Sequence, residues 1–150
     1  MMTEAQKAER AGGGGSVGVI AATEDLMFRS RISEAADSLG IESKFPRSPK
    51  KLMEAVRSAR PDVLVLDLHS ERFDAVEILN ELHADRELRS IRTIGYVPHT
   101  RKDLIVSARE AGCDRILARS AFFGGLPDVL LPKQAGGLKT STADDEDDLQ

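Results

Sequence analysis

The side chains best placed to do chemistry are carboxylates that follow two apolar runs of the sequence. Asp67 stands at the end of the run Pro61–Leu68, and Glu24 and Asp25 come just after the run Val17–Ala22. In an open α/β sheet, ligands bind and chemistry occurs where the strands end. These carboxylates therefore mark the candidate site. The sequence has no nucleophile and base at a recognisable catalytic spacing, so ordinary hydrolytic catalysis has little support.

The run Pro61–Leu68 is the element on which the rest of the fold depends. Its residues Val63–Leu66 are all aliphatic, so their side chains cannot alternate between a core and water. Such a run is typical of a strand that is covered on both faces, at the centre of a parallel sheet with helices on either side. We therefore expect this strand to deliver Asp67 to the edge of the sheet.

Strand patterns and helical patterns alternate along the rest of the chain. This alternation predicts the α/β class and a flavodoxin-like, doubly wound parallel sheet of five strands. Right-handed crossovers favour the strand order 2-1-3-4-5. Ser48 followed by Pro49 predicts a helix start, the next helix is expected from about Phe73, and the glycines in Phe122–Pro127 predict a short or broken last helix. The predicted strands are Val17–Ala22, Ile41–Phe45, Pro61–Leu68, Thr93–Val97 and Arg115–Ala118.

Composition narrows the class of protein. A chain of 150 residues suits one domain, and we expect a flexible lead over residues 1–15, a domain over 16–132 and a disordered acidic tail over 133–150. The formal net charge is −4, and five acids lie in Asp144–Asp148, so the rest of the chain is close to neutral. A pI near 5.4 argues against nucleic-acid binding, and no apolar run could span a membrane. With one cysteine and no signal-peptide pattern, we expect a cytoplasmic protein.

Residues 17–131 resemble the receiver domain of two-component response regulators. The resemblance rests on the strand Pro61–Leu68 with its aspartate, on the acids after the first strand, on Asp74 seven residues after Asp67, and on Ala111-Gly112 ahead of the fifth strand. In that family the middle aspartate takes a phosphoryl group from a histidine kinase. The resemblance therefore implies that Asp67 is the phosphoacceptor.

The same resemblance implies a magnesium site and a phosphate pocket. Mg²⁺ would be held by Glu24, Asp25, Asp67 and the backbone carbonyl of His69. In the family, a hydroxyl after the fourth strand and a lysine after the fifth bind the phosphoryl oxygens.

This sequence departs from the family pattern at several of these positions. Thr23 replaces the first acid of the pair, and Val97 stands at the hydroxyl position. Arg119 takes the place of the lysine, and its planar guanidinium is not an equivalent ligand. Ile116 occupies the position of the family's aromatic switch residue. Thr23, Val97 and Arg119 are thus remnants of a phosphate site, and the chain resembles a degenerate, pseudo-receiver-like variant with at most a weak Mg²⁺ site.

Each of these residues also has a purely structural interpretation. Asp67 would then be a loop carboxylate held by backbone amides or paired with Arg119, and an ion pair is the expected role of Arg119. Glu24 and Asp25 are as well suited to capping the first helix, where acids interact favourably with the helix dipole, as to binding a metal.

The function predicted is that of a stand-alone, receiver-like signalling protein that is not an enzyme. It would act by binding a histidine kinase, a phosphotransfer protein, another signalling protein or a second copy of itself, either with impaired phosphorylation at Asp67 or as a constitutive binding module whose Asp67 stays unmodified. The alternative is a flavodoxin-like domain that binds a small ligand or cofactor in the same crevice, lined by Thr23-Glu24, Asp67-Leu68-His69 and Pro98-His99-Thr100.

Overall fold

The sheet has five parallel strands in the order β2-β1-β3-β4-β5, as the sequence predicts. The computed structural model describes residues 17–131. The predicted lead and acidic tail lie outside the described residues. The strands are β1 (Val19–Ala22), β2 (Ser43–Lys44), β3 (Val63–Asp67), β4 (Arg92–Val97) and β5 (Arg115–Ala118).

Six α-helices connect and cover the strands within residues 17–131, and none of them is long and apolar enough to cross a membrane. A short 3₁₀ turn, Arg86–Leu88, precedes β4. The helices are α1 (Leu26–Ser38), α2 (Pro49–Ala59), α3 (Ala75–Ala84), α4 (Lys102–Glu110), α5 (Arg119–Gly124) and α6 (Leu126–Leu130).

Short polar side chains fix where three of these helices begin. Asp25, Ser48 and Asp74 each accept hydrogen bonds from backbone N–H groups of the first helical turn. The predicted start at Ser48-Pro49 is therefore confirmed. The next helix, expected from about Phe73, begins two residues later at Ala75, because Asp74 has extended backbone and caps it.

β3 is buried on both faces, as its unbroken aliphatic run predicts. Leu64 and Leu66 pack into the core beneath α2, α3 and α4. Val63 and Val65 pack into the opposite core, with α1, α5 and α6. β1 and β4 flank β3 in parallel register, so the C-terminal ends of all three strands meet at one edge of the sheet.

The last helix is broken into α5 and α6, as expected from its glycines, and two arginines hold the pieces. Arg31 donates to the carbonyl of Phe123 at 3.1 Å. Arg92 donates to the carbonyls of Val129 and Leu131 at 3.1 and 3.0 Å. These bonds satisfy carbonyls at the C-terminal ends of α5 and α6, which have no partner within their own helix.

Candidate functional site

The parallel register brings Asp67, Thr23 and Tyr96 together at the C-terminal edge of the sheet. Asp67 pairs with Tyr96 across β3 and β4, and Ala22 pairs with Leu66 one residue before Thr23 and Asp67. Because side chains alternate along a strand, these three residues point to the same face, toward α1 and α5. All three are buried, and Asp67 is 8% exposed.

Asp67 is a buried carboxylate held by its own loop. Its Oδ1 accepts a hydrogen bond from the backbone N–H of His69 at 2.9 Å. Burial raises the pKa of Asp67, and this is only partly opposed by the His69 N–H and by the positive charge of Arg119. The His69 side chain itself is exposed. A carboxylate with a raised pKa at a strand end is typical of functional sites.

Tyr96 is a site residue that sequence reasoning missed. Its side chain is fully buried, and its hydroxyl donates a hydrogen bond to Thr23 Oγ1 at 2.9 Å. β3 lies between β1 and β4, so this bond passes beside Asp67. Burial raises the pKa of Tyr96, and the negative charge of Asp67 raises it further, so the hydroxyl keeps its proton at neutral pH. The alternation of β4, which places Ile94 and Tyr96 on one face, could have revealed this position.

Glu24 binds the loop that follows β3. Its Oε2 accepts from Ser70 Oγ at 2.6 Å and from the backbone N–H of Arg72 at 3.0 Å. The hydrogen bond from Ser70 is the main cause that lowers the pKa of Glu24, and the Arg72 N–H adds to it. Glu24 is exposed, so this arrangement is a clamp between two loops at the surface of the site.

Asp25 has the capping role that the sequence left open. Its Oδ1 accepts from the N–H groups of Met27 and Phe28 at 2.8 and 3.1 Å. Among residues 17–131, no three His, Cys, Asp or Glu side chains are grouped so that they could hold a metal ion. The four predicted Mg²⁺ ligands therefore do not form a ready coordination set, because Glu24 and Asp25 are both engaged in other hydrogen bonds.

The expected ion pair between Arg119 and Asp67 is wrong. The described residues contain no ion pair between them, and the guanidinium of Arg119 lies over the ring of Phe28, with Cζ 5.1 Å from the centroid. This stacking suits the planar, weakly hydrated guanidinium. Arg119 Nε is buried and has no hydrogen-bond partner within the described part of the chain. Arg119 thus acts on Asp67 only through its charge.

Val97, the other predicted remnant, is fully buried in the opposite core. Its side chain has no hydroxyl, and it lies on the face of the sheet opposite to Asp67. Thr100, the nearest hydroxyl after β4, is exposed.

A cluster of aromatic rings lies directly beneath the site. Tyr96 stacks on Phe122 with centroids 4.8 Å apart and meets Phe123 edge to face at 5.1 Å. Phe28 stacks on Phe123 at 4.6 Å and also contacts Tyr96 at its edge. The site is therefore backed by a rigid aromatic core that joins β4 to α1 and α5.

A cleft of about 210 Å³ lies between α3 and α4, next to the loop after β3. It is lined by Leu68, Ser70, Phe73 and Leu104 among others, and contains neither Asp67 nor Thr23. Its volume is below the ~300–1,000 Å³ usual for small-molecule sites.

Solved structures with the same fold are receiver domains of response regulators. CheY4, a chemotaxis response regulator of Vibrio cholerae, is 13% identical, with a TM-score of 0.66 over 78% of this chain and 100% of that chain. The phosphorylated cyanobacterial phytochrome response regulator RcpA is 22% identical, with a TM-score of 0.60 over 77% and 89%. The receiver domain of a DNA-binding response regulator from Colwellia psychrerythraea is 14% identical, with a TM-score of 0.64 over 76% and 98%.

These likenesses define the class of fold. The chain has the flavodoxin-like fold of response-regulator receiver domains, and the predicted fold class is confirmed. No protein-family model and no curated protein matches the sequence.

Proposed function

We propose that this protein is a receiver-like signalling module that acts by binding other proteins, and that phosphoryl transfer to Asp67 is slow. The observation that carries the proposal is the position of Asp67. It lies at the end of the central strand of a receiver fold, on the same face as Thr23 and Tyr96. This is where ligands and chemistry gather in open parallel sheets.

The surroundings of Asp67 support impaired phosphorylation. Phosphoryl transfer depends on cations and donors that stabilise charge on the transferring group. Thr23 offers a hydroxyl where an acid would help to hold Mg²⁺, and that hydroxyl is bonded to Tyr96. Glu24 is engaged by Ser70. Both contacts would have to be given up or shared before a metal could bind.

Two exposed apolar side chains next to the site support a protein partner. Leu26 and Met27 are 71% and 67% exposed and lie in the first turn of α1, directly after Asp25. Adjacent exposed apolar residues at the edge of a candidate site favour contact with another protein. Receiver domains generally bind histidine kinases and phosphotransfer proteins, and we propose a cytoplasmic partner of this kind.

The test uses Mg²⁺ with beryllofluoride, which mimics a phosphoryl group on aspartate, and backbone NMR of the full chain. We expect small changes in the amide chemical shifts near residues 67–72 that appear only at high Mg²⁺ and do not reach saturation. Asp67→Asn should show no such changes. Saturation at low Mg²⁺ would show an intact acceptor site and overturn the impaired part of the proposal. Equal shifts in Asp67→Asn would overturn the site itself.

A further inference from the structure

The segment that runs from the end of β2 into the first turn of α2 carries a concentrated positive charge. Four cationic residues fall within the eight residues 44–51, and no acid lies among them. Arg72 joins this loop, because its Nη1 donates to the carbonyl of Arg47 at 3.2 Å. We call the set of Lys44, Arg47, Lys50, Lys51 and Arg72 the basic loop. All five are exposed.

The cations of the basic loop differ from many others in the described part of the chain. None of the five is in an ion pair within residues 17–131. By contrast, Arg57, Arg60 and Arg101 pair with carboxylates. Arg31 and Arg92 donate to helix-end carbonyls, as described above. The charge of Arg72 acts on Glu24, whereas Lys44, Arg47, Lys50 and Lys51 have no carboxylate in an ion pair with them within the described fold.

A run of acidic residues near the end of the sequence has the opposite charge to the basic loop. Asp144–Asp148 consists of five consecutive acids, equal in number to the cations of the basic loop. The described chain ends at Leu131, whose carbonyl accepts from Arg92 near the start of β4. Twelve residues separate Leu131 from Asp144.

The intervening chain is long enough to reach the basic loop. The loop follows the C-terminal end of β2, three strands from β4, which is about 14 Å across the sheet. The six residues of β4 add about 20 Å along the strands. Thirteen Cα–Cα steps of at most ~3.6 Å reach about 45 Å when extended, so the acidic run is within reach of the loop.

We propose that the acidic run Asp144–Asp148 binds the basic loop of the same molecule. The bound run lies beside Arg72, whose backbone N–H donates to Glu24. A partner with an acidic docking segment competes with it for the same cations. This contact is independent of whether Asp67 accepts a phosphoryl group.

The experiment places a nitroxide spin label at Leu149→Cys in the full chain, with Cys113→Ser so that the label has one site. At low salt we expect at least a twofold loss of amide signal intensity over residues 44–51 and at Arg72, and recovery at high salt because exposed charges are then screened. Lys50→Glu with Lys51→Glu should abolish the loss. Lys102→Glu with Arg109→Glu, two exposed cations on α4, is the matched control and should leave it unchanged.

Three results would overturn the proposal. The first is signal loss spread evenly over the surface, and the second is signal loss that survives the charge reversal at Lys50 and Lys51. The third uses a mixture of ¹⁵N chains without a spin label and ¹⁴N chains with one. Signal loss in that mixture would show that the acidic run binds a second copy of the chain. Should Cys113→Ser fail to fold, the wild-type chain is compared with one whose five acids are replaced by Asn and Gln. We then expect amide shifts at residues 44–51 and Arg72, and identical spectra there would contradict the contact.

Discussion

The hydroxyl of Tyr96 and the hydroxyl of Thr23 meet at 2.9 Å, across the strand that ends in Asp67. They come from β4 and β1, so the bond ties together the two strands that flank β3. Both side chains are buried and lie on the same face of the sheet as Asp67.

Tyr96→Phe should lower the free energy of unfolding by about 1 kcal/mol, because it removes a buried hydrogen bond and keeps the ring. Thr23→Val should cost a similar amount, and the double variant should cost less than the sum, since both lose the same bond. Urea denaturation followed by circular dichroism measures all three. Strict additivity of the two changes would contradict the bond.

Asp67→Asn should raise the free energy of unfolding at neutral pH by about 1 kcal/mol, as is common when a functional site is relieved of a buried charge. Burial raises the pKa of Asp67, so the folded state holds its proton where the unfolded chain has lost it. Stability therefore falls as pH rises through the interval between the two pKa values, and the loss persists at neutral pH. The asparagine oxygen can still accept from the His69 N–H.

Thermal unfolding of both proteins across acid and neutral pH tests this. The advantage of Asp67→Asn should vanish at pH values where the aspartate is protonated in both states. Asp37→Asn, an exposed change on α1, is the control for loss of a surface carboxylate and should leave the free energy of unfolding at neutral pH nearly unchanged. A less stable Asp67→Asn at neutral pH would show that the carboxylate is a stabilising structural group.

Glu24→Gln should loosen the loop after β3. The Ser70 hydrogen bond lowers the pKa of Glu24, so the clamp is present above the ordinary carboxyl pKa and is lost as pH falls through the folded-state pKa. Amide hydrogen exchange at Arg72 and Phe73 should therefore quicken in Glu24→Gln at neutral pH, and in the wild type at acid pH beyond the usual pH effect on exchange. Glu71→Gln, on the same loop, should change neither rate, and an equal effect there would argue against the clamp.

Arg119→Ala should raise the pKa of Asp67 further, because the charge of Arg119 lowers it in the native protein. Arg119→Lys keeps a positive charge and should shift this pKa less. Both variants should lose about 0.5–1 kcal/mol of stability, since a guanidinium stacked on Phe28 is replaced. The carboxyl ¹³C resonance of Asp67, followed through a pH titration, gives the order of the three pKa values. An unchanged pKa in Arg119→Ala would show that the two charges do not interact.

The sequence predicts the strands and their order well, because the patterns that define them lie in short stretches of the chain. The aliphatic run Val63–Leu66 defines a central strand buried on both faces, and Ser48-Pro49 defines a helix start. Strand order follows from the repeated βα pattern and the handedness of crossovers. The central strand and the helix start depend on residues that are neighbours in the chain, so they can be predicted from a single sequence.

The side-chain contacts around Asp67 join residues that are far apart in the chain, so they cannot be predicted from the sequence alone. Glu24 meets Ser70 forty-six residues away, and Tyr96 meets Thr23 seventy-three residues away. Arg119 was expected to form an ion pair with Asp67, but its guanidinium stacks on Phe28. This contact depends on how α1 packs against α5. Position in the strand places a residue at the site, but side-chain length and packing decide which partner it binds.

Phosphorylation of Asp67 is measured by incubating the full chain with Mg²⁺ and acetyl phosphate and following its intact mass over time. We expect the wild type to gain one phosphoryl group slowly and incompletely, and Asp67→Asn to gain none. Thr23→Asp supplies an acid beside Asp67 and disturbs the bond to Tyr96, so it should gain the group faster. Rapid and complete modification of the wild type, or modification that persists in Asp67→Asn, would show that Asp67 is not an impaired acceptor.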